Sequence, residues 1–295
     1  MTLAHDNNPE FIAGLHEVAA RYSGVILDLW GVVHDGLQPF PDTIATLEEL
    51  KRGKRQVFFL SNAPRRAQVI ADILDGMGVS RGLYDGLVTS GEATFVALRD
   101  RYLQQWGRRC YHLGDAARDA SLYDGLDITI VKTPAEADFI LATGVEDSND
   151  KAEKYHPVLE EGVARGLPML CANPDRIVHV GDHLVLCPGT FADIYTALGG
   201  AVTYFGKPYR SVYSLCLEAM DKAGGKGEVL AVGDGMQTDI AGATGAGLDS
   251  VLITSGIHRE AFSEAKKSGQ NGSRIGSFLK EFPYRPSYLM TALRW

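Results

Sequence analysis

The stretch Val25-Ile26-Leu27-Asp28-Leu29-Trp30-Gly31, continuing as Val32-Val33-His34-Asp35-Gly36, decides how this chain is read. A continuous apolar run rich in β-branched residues reads as a strand buried on both faces. A carboxylate at the end of such a strand is costly unless it is paired or bound to a metal. The same pattern recurs along the chain. Val57-Phe58-Phe59-Leu60 leads into Ser61, and Leu87-Val88 into Thr89-Ser90-Gly91. Val229 to Val232 leads into Gly233-Asp234, and Val251-Leu252-Ile253 into Thr254-Ser255-Gly256. Strands that alternate with helical patterns imply right-handed crossovers and a parallel sheet, an α/β fold. The carboxyl ends of the strands in such a sheet line the ligand crevice. Asp28, Ser61 and Asp234 are therefore expected to converge. The plain alternative, that each only caps a helix, weakens when three such residues occur in one chain.

Bulk properties narrow the function. The chain has 295 residues, 45% of them hydrophobic, a size at which one core tends to divide into two domains. Its formal net charge is -8 and no Lys/Arg-rich run stands out, which argues against nucleic acid as a partner. An anionic substrate would need a local positive centre, such as a metal or a single Lys. The apolar runs are strand-length, so no membrane segment is expected. The polar, acidic start lacks a secretory pattern, so a cytoplasmic location is expected. Cys110, Cys171, Cys187 and Cys216 are far apart and read as buried free thiols. Lys266 to Ser277 reads as a surface connection.

The region from about Glu92 to Tyr204 reads as an inserted α/β unit. It has a helix over Ala93 to Trp106 and strands at Cys110–Leu113, Ile128–Val131, Phe139–Leu141 and Met169–Cys171. A second helix over Asp150 to Arg165 is ended by Gly166, and a third over Phe191 to Leu198 is capped by Pro188-Gly189-Thr190. The expected division is a core of residues 1–91 and 205–295 with an inserted domain, 92–204, acting as a lid.

Three further segments carry chemistry. In Leu60-Ser61-Asn62-Ala63-Pro64-Arg65, Pro64 suits a first helical turn, placing Ser61 and the Asn62 amide at a helix N-terminus that would seat a phosphate. In Phe205-Gly206-Lys207-Pro208, Pro208 is expected to start a helix whose apolar face is Val212, Leu215, Cys216, Ala219 and Met220. In Val232 to Ile240, Asp234 and Asp239 flank a turn, and Asp28 with Asp234 makes a hard oxygen site suited to Mg²⁺.

The order Asp28, Ser61, Lys207, Asp234/Asp239 resembles the four motifs of the haloacid dehalogenase (HAD) superfamily. The flanks (Gly31-Val32 and Gly36, Ser61-Asn62 with Pro64, Gly206-Lys207-Pro208, Gly233-Asp234 with Thr238-Asp239) resemble its class IIA branch, the NagD-like and pyridoxal-phosphatase-like hydrolases. Ala172-Asn173-Pro174-Asp175 resembles a cap-domain signature of that branch. The resemblance spans about Gly24 to Pro286. It implies a Rossmann-like parallel-sheet core with an inserted α/β cap domain, and a Mg²⁺-dependent phosphomonoester hydrolase acting on a small phosphorylated metabolite. Asp28 would attack phosphorus and form an aspartyl-phosphate. The Asp28 carboxylate, the backbone carbonyl of Trp30 and the Asp234 carboxylate would bind Mg²⁺, with Asp239 supporting. Ser61, Asn62 and Lys207 would hold the phosphoryl oxygens. Asn173, Asp175, His179 and His183 would be substrate contacts from the cap. Caps of this branch often pair subunits, which makes a homodimer an option.

Trp30 departs from the family pattern, Asp-x-Asp, whose second Asp protonates the leaving group and activates water. An indole only donates and does not titrate. Losing general acid–base help is typically worth about 10²–10⁴-fold, felt most with poor leaving groups. His34 and Asp35 are the neighbours that could substitute, unless both serve only the turn they lie in. Gly235, where the branch often has Asn, is expected to loosen the surroundings of the metal. The competing expectation is a catalytically weakened protein that binds or senses phosphate esters.

Overall fold

The computed structural model describes residues 9–180, 183–262 and 271–295. Its fourteen strands are β1 Glu10–Phe11, β2 Gly24–Leu27, β3 Gln56–Ser61, β4 Gly86–Thr89, β5 Arg109–Leu113, β6 Thr129–Val131, β7 Phe139–Ala142, β8 Met169–Cys171, β9 Ile177–Val180, β10 His183–Leu186, β11 Val202–Tyr204, β12 Val229–Gly233, β13 Asp249–Ile253 and β14 Tyr288–Met290.

They form a seven-stranded sheet in the order β1-β14-β13-β12-β2-β3-β4, a five-stranded sheet in the order β11-β8-β7-β5-β6, and the hairpin β9-β10. Parallel pairings join β1 through β14, β13, β12 and β2 to β3, and run throughout the five-stranded sheet. The chain divides into two compact units. One holds the residues up to Ser61, Ile73–Leu87 and Tyr213–Trp295; the other holds Asn62–Asp72 and Val88–Val212.

The central strands of the first sheet, β2, β3, β12 and β13, are buried along all or nearly all of their length. β2 is buried along its whole length, and Leu27, Phe59 and Val232 are 0–2% exposed. Each such side chain removed from water contributes about 1.5–3 kcal/mol. The second unit has its own core, in which Tyr155, Leu159, Phe191 and Tyr195 pack on Ile140, Met169 and Cys171. The four cysteines are buried and form no disulfide among the described residues.

Several local expectations shift. The helix expected over Asp150 to Arg165 is a 3-10 turn, Ala152–Tyr155, followed by the α-helix His156–Ala164, with Pro157 in its first turn. The helix expected from Phe191 starts at Pro188, and its N-cap is Cys187 with no side-chain cap. Of the stretch Lys266 to Ser277, residues 266–270 lie outside the described residues; the rest belongs to the helix Asn271–Lys280, so it is not a loop there. On the helix Arg210–Lys222 the buried stripe is Val212, Tyr213, Cys216 and Met220, whereas Leu215 is exposed.

Candidate active site

Asp28 follows the last residue of β2, Asp234 the last residue of β12, and Ser61 is the last residue of β3. Leu27 sits opposite Val232 on one side and Phe59 on the other, so the three ends are in register. The Asp28 amide donates to the Val232 carbonyl at 2.9 Å, locking this register one residue past the strand. Asp28, Asp234 and Asp239 are all buried, and each offers an oxygen within 4.8 Å of the others.

At an effective dielectric of about 20, like charges at this spacing repel by roughly 3–4 kcal/mol per pair. Burial raises that cost. The cluster therefore favours a bound cation, and an all-oxygen carboxylate set fits Mg²⁺.

Neighbouring donors fix Asp234 and Asp239. Asp234 Oδ2 accepts from the Ile257 amide at 2.8 Å, and Asp239 Oδ2 accepts from the Gly235 amide and the Thr238 hydroxyl, both at 3.1 Å. The Met236 amide donates to His258 Nε2 at 3.1 Å, and burial lowers the pKa of His258, favouring the neutral imidazole that can accept this bond. Gly31 has φ +82°, and a Cβ there would lie 2.2 Å from Asp234 Oδ2. Gly235 does not loosen this arrangement as expected. A Cβ at that position would lie 2.1 Å from Thr238 Oγ1, so the missing side chain lets the Thr238–Asp239 turn close. Ile257 and His258 had no sequence signal, because they act from a loop after β13 through a backbone amide and a ring nitrogen.

Ser61 is buried and Asn62 follows it, but not at a helix N-terminus. The helix begins only at Ala67, whose amide donates to Glu92 Oε2 at 3.1 Å. The reason is competition for carbonyls. Ser90 and Gly91 donate to Ala63 O, and Thr89 Oγ1 donates to Arg65 O, so the 63–65 segment is held as a turn that cannot join the helix.

Asn62 is a side-chain staple. Its Oδ1 accepts from the Lys207 amide at 2.7 Å, and its Nδ2 donates to Lys207 O at 3.2 Å and to Asp175 Oδ1 at 2.9 Å. Lys207 is 3% exposed, and the helix after it starts at Arg210 rather than at Pro208. Asn173 Oδ1 accepts from the Asp175 amide at 2.8 Å. Asn173 and Asp175 are thus joined to each other and, through Asp175, to Asn62. His183 is exposed, and the side chain of His179 lies outside the described residues.

The Trp30 indole is 37% exposed and lies edge-on to His34, with ring centroids 5.6 Å apart. It also covers Gly36, where a Cβ would lie 2.5 Å from the ring. His34 Nδ1 accepts from the Gly36 amide at 2.9 Å, and burial lowers the pKa of its ring. Asp35 Oδ1 accepts from the Gln38 and Leu37 amides at 2.8 and 2.9 Å, and those bonds hold its carboxyl below the usual range. Both side chains thus hold the turn they lie in.

The family profile described as haloacid dehalogenase-like hydrolase matches residues 25–128, and a second HAD-hydrolase-like profile matches residues 204–281. A solved hydrolase of the haloacid dehalogenase-like family from Brucella suis 1330 superposes with a TM-score of 0.82 at 32% identity, covering 96% of this chain and 100% of that one. The ribonucleotide monophosphatase NagD of Escherichia coli K12 is 29% identical over 241 residues, 79% of this chain and 88% of that protein. The D-glycerol 3-phosphate phosphatase of Mycobacterium tuberculosis is 26% identical over 260 residues, 83% of this chain but only 66% of that longer protein.

Proposed function

Since the chain belongs to the haloacid dehalogenase superfamily, class IIA, and is a phosphatase of phosphorylated metabolites, we propose that it hydrolyses small phosphomonoesters with Mg²⁺ through an aspartyl-phosphate on Asp28. The observation that carries this reading is the buried triad of Asp28, Asp234 and Asp239 at the ends of adjacent strands and the turn after them. Asp28, Asp234 and the Trp30 carbonyl would hold the ion, with Asp239 behind them. When bound, it supplies positive charge that keeps the carboxylates ionised and offsets the phosphate dianion.

One Asp28 oxygen forms the new bond to phosphorus as the ester oxygen departs with the bonding pair. Water then adds to the aspartyl-phosphate, releasing inorganic phosphate and restoring the carboxylate. Ser61, the Asn62 amide and Lys207 would hold the phosphoryl oxygens, a task in which fixed donors stabilise developing charge. The Asn62 staple supports this role for Lys207, because it ties the lysine's backbone to the residue after Ser61.

A turn-bound His34 and Asp35 beside an indole at position 30 favour a narrower form of this activity, with activated esters cleaved faster than alkyl esters. The test is phosphate release from aryl and sugar phosphates with and without Mg²⁺. Removal of the metal should abolish turnover, and Asp28→Asn should lower it by roughly 10⁴-fold or more. Undiminished turnover in Asp28→Asn would sink the mechanism.

A further inference from the structure

We propose that this phosphatase is built for aryl phosphate monoesters, with the Trp30 indole and Ile257 holding the aromatic ring of the group that leaves. This deepens the reading above and rests on it. Each residue it uses lies in the first unit. That unit exposes five large apolar side chains among its described residues: Phe11, Trp30, Leu37, Leu215 and Ile257. Three of them gather by the acid cluster. The Ile257 amide donates to Asp234 Oδ2 at 2.8 Å, and a Cβ on Gly31 would lie 2.2 Å from the same oxygen. Trp30, which precedes Gly31, and Ile257 thus flank one carboxylate from two loops. Leu37 follows Gly36, against which the indole packs. Exposed apolar groups gathered in one place mark a binding surface, whereas scattered ones need no explanation.

The indole is seated rather than loose. A Cβ on Gly36 would lie 2.5, 2.7 and 3.1 Å from three consecutive atoms of its six-membered ring, and the His34 ring meets it edge-on. Gly36 has φ +96°, so both its backbone and its missing side chain make room for the ring. No hydrogen bond holds the indole N–H among the described residues, so packing alone places it. Asp28 is 8% exposed and Leu29 2%, so Trp30, at 37%, is the first side chain after the nucleophile to reach well into solvent. With phosphorus bonded at Asp28, the rest of the ester projects outward past that ring and Ile257.

Two requirements converge on one class of ester. An indole does not titrate, so Trp30 has no proton to give a departing oxygen. A phenol ionises near about pH 10, whereas an alcohol is about as weak an acid as water, whose pKa is about 15.7. A phenolate therefore leaves with the bonding pair and takes its proton from water afterwards. The same ring is what an indole packs against best, since offset and edge-to-face aromatic pairs gain more than the area they bury. An aryl phosphate is dianionic at the acid cluster and apolar at the rim. A polyol phosphate would set hydroxyls against Trp30 and Ile257.

The test is a calorimetric titration of the unmodified protein, in the presence of Mg²⁺, with benzylphosphonate and cyclohexylmethylphosphonate, in which a P–C bond replaces the scissile P–O bond. The two match in carbon number and charge, and only the first is aromatic. Benzylphosphonate should bind about fivefold more tightly. In Trp30→Leu, which keeps an apolar side chain and the backbone carbonyl, the ratio should fall to near parity, while Trp30→Phe should retain most of it; circular dichroism checks both folds. A ratio cancels any change in metal or phosphate binding, which acts on both ligands alike. If the variants at position 30 do not fold, Ile257→Ala decides: it should weaken both phosphonates about threefold relative to inorganic phosphate. Equal affinities in the unmodified protein, failure of both ligands to bind, a preference that survives Trp30→Leu, or no effect of Ile257→Ala would overturn the proposal. Turnover of phenyl phosphate by the unmodified protein is measured alongside. Its absence would count against hydrolysis, while the affinity ratio still judges the ring contact.

Discussion

The two parallel sheets of this protein lead into charged groups at their carboxyl ends, and they hold those charges by different means. In the first unit β2 and β12 end in Asp28 and Asp234, with Asp239 in the turn that follows β12. Backbone amides of Ile257 and Gly235, with close-packed glycines, hold these carboxylates. In the second unit the strand ends lead to Lys207 and Arg118, and side chains hold them. Asn62 brackets Lys207 on both its amide and its carbonyl, and Asp119 grips Arg118. Three buried carboxylates this close together favour a cation among them. The second edge carries carboxylates of its own, Asp175 on Asn62 and Asp119 on Arg118. The first region should therefore respond to metal and the second to point substitutions.

Lys207→Met sharpens this contrast most. Loss of one fixed donor to the phosphoryl group should lower kcat/KM by roughly 10²–10³-fold, while the Mg²⁺ concentration for half-maximal activity stays near its original value. Steady-state kinetics across a magnesium series would show it, and a large shift in the metal requirement would mean that the two regions are not separable.

A smaller effect is expected from Trp30→Asp, which restores a titratable group beside the nucleophile. Turnover of alkyl phosphates should rise by about tenfold or more relative to aryl phosphates, within the 10²–10⁴-fold range of acid–base help. An equal change for both classes would mean that the site is organised around the indole resting on Gly36.

The smallest effect concerns pH. His34 and His112 are buried and His258 is half-buried, all with lowered pKa values, whereas unfolded histidine titrates near about 6.5. Below that value the unfolded chain binds more protons, so stability is intact above it and is lost as the pH falls. The thermal midpoint should drop by a few degrees between about pH 7.5 and about pH 5.5, and His112→Gln should flatten part of that slope. A profile that rises on acidification would contradict the neutral assignments.

The strands and the acids at their ends were legible because burial on both faces writes an unbroken apolar run, and a polar residue that ends such a run stands out. β2, β3, β12 and β13 lie where the apolar runs end at Asp28, Ser61, Asp234 and Thr254. Helix starts were less legible. Pro64 and Pro208 were compatible with a first turn, yet Thr89, Ser90 and Gly91 capture the carbonyls of Ala63 and Arg65, and the helix waits until Ala67. Leu215 fitted the apolar spacing of its helix but is exposed, while Tyr213, outside the expected stripe, is 1% exposed.

The sequence by itself determined the parallel α/β fold and the residue types of the acid cluster, because these depend on local periodicity and on the cost of ending a buried strand in a charge. Only the tertiary structure decided which partners fix them: Asn62 on Lys207 across 145 positions, Ile257 on Asp234 across 23, and Thr143 on Asp119 across 24. Hydrogen bonds between residues so far apart in sequence follow no local period. They are set by strand order and register, which arise only when whole sheets assemble.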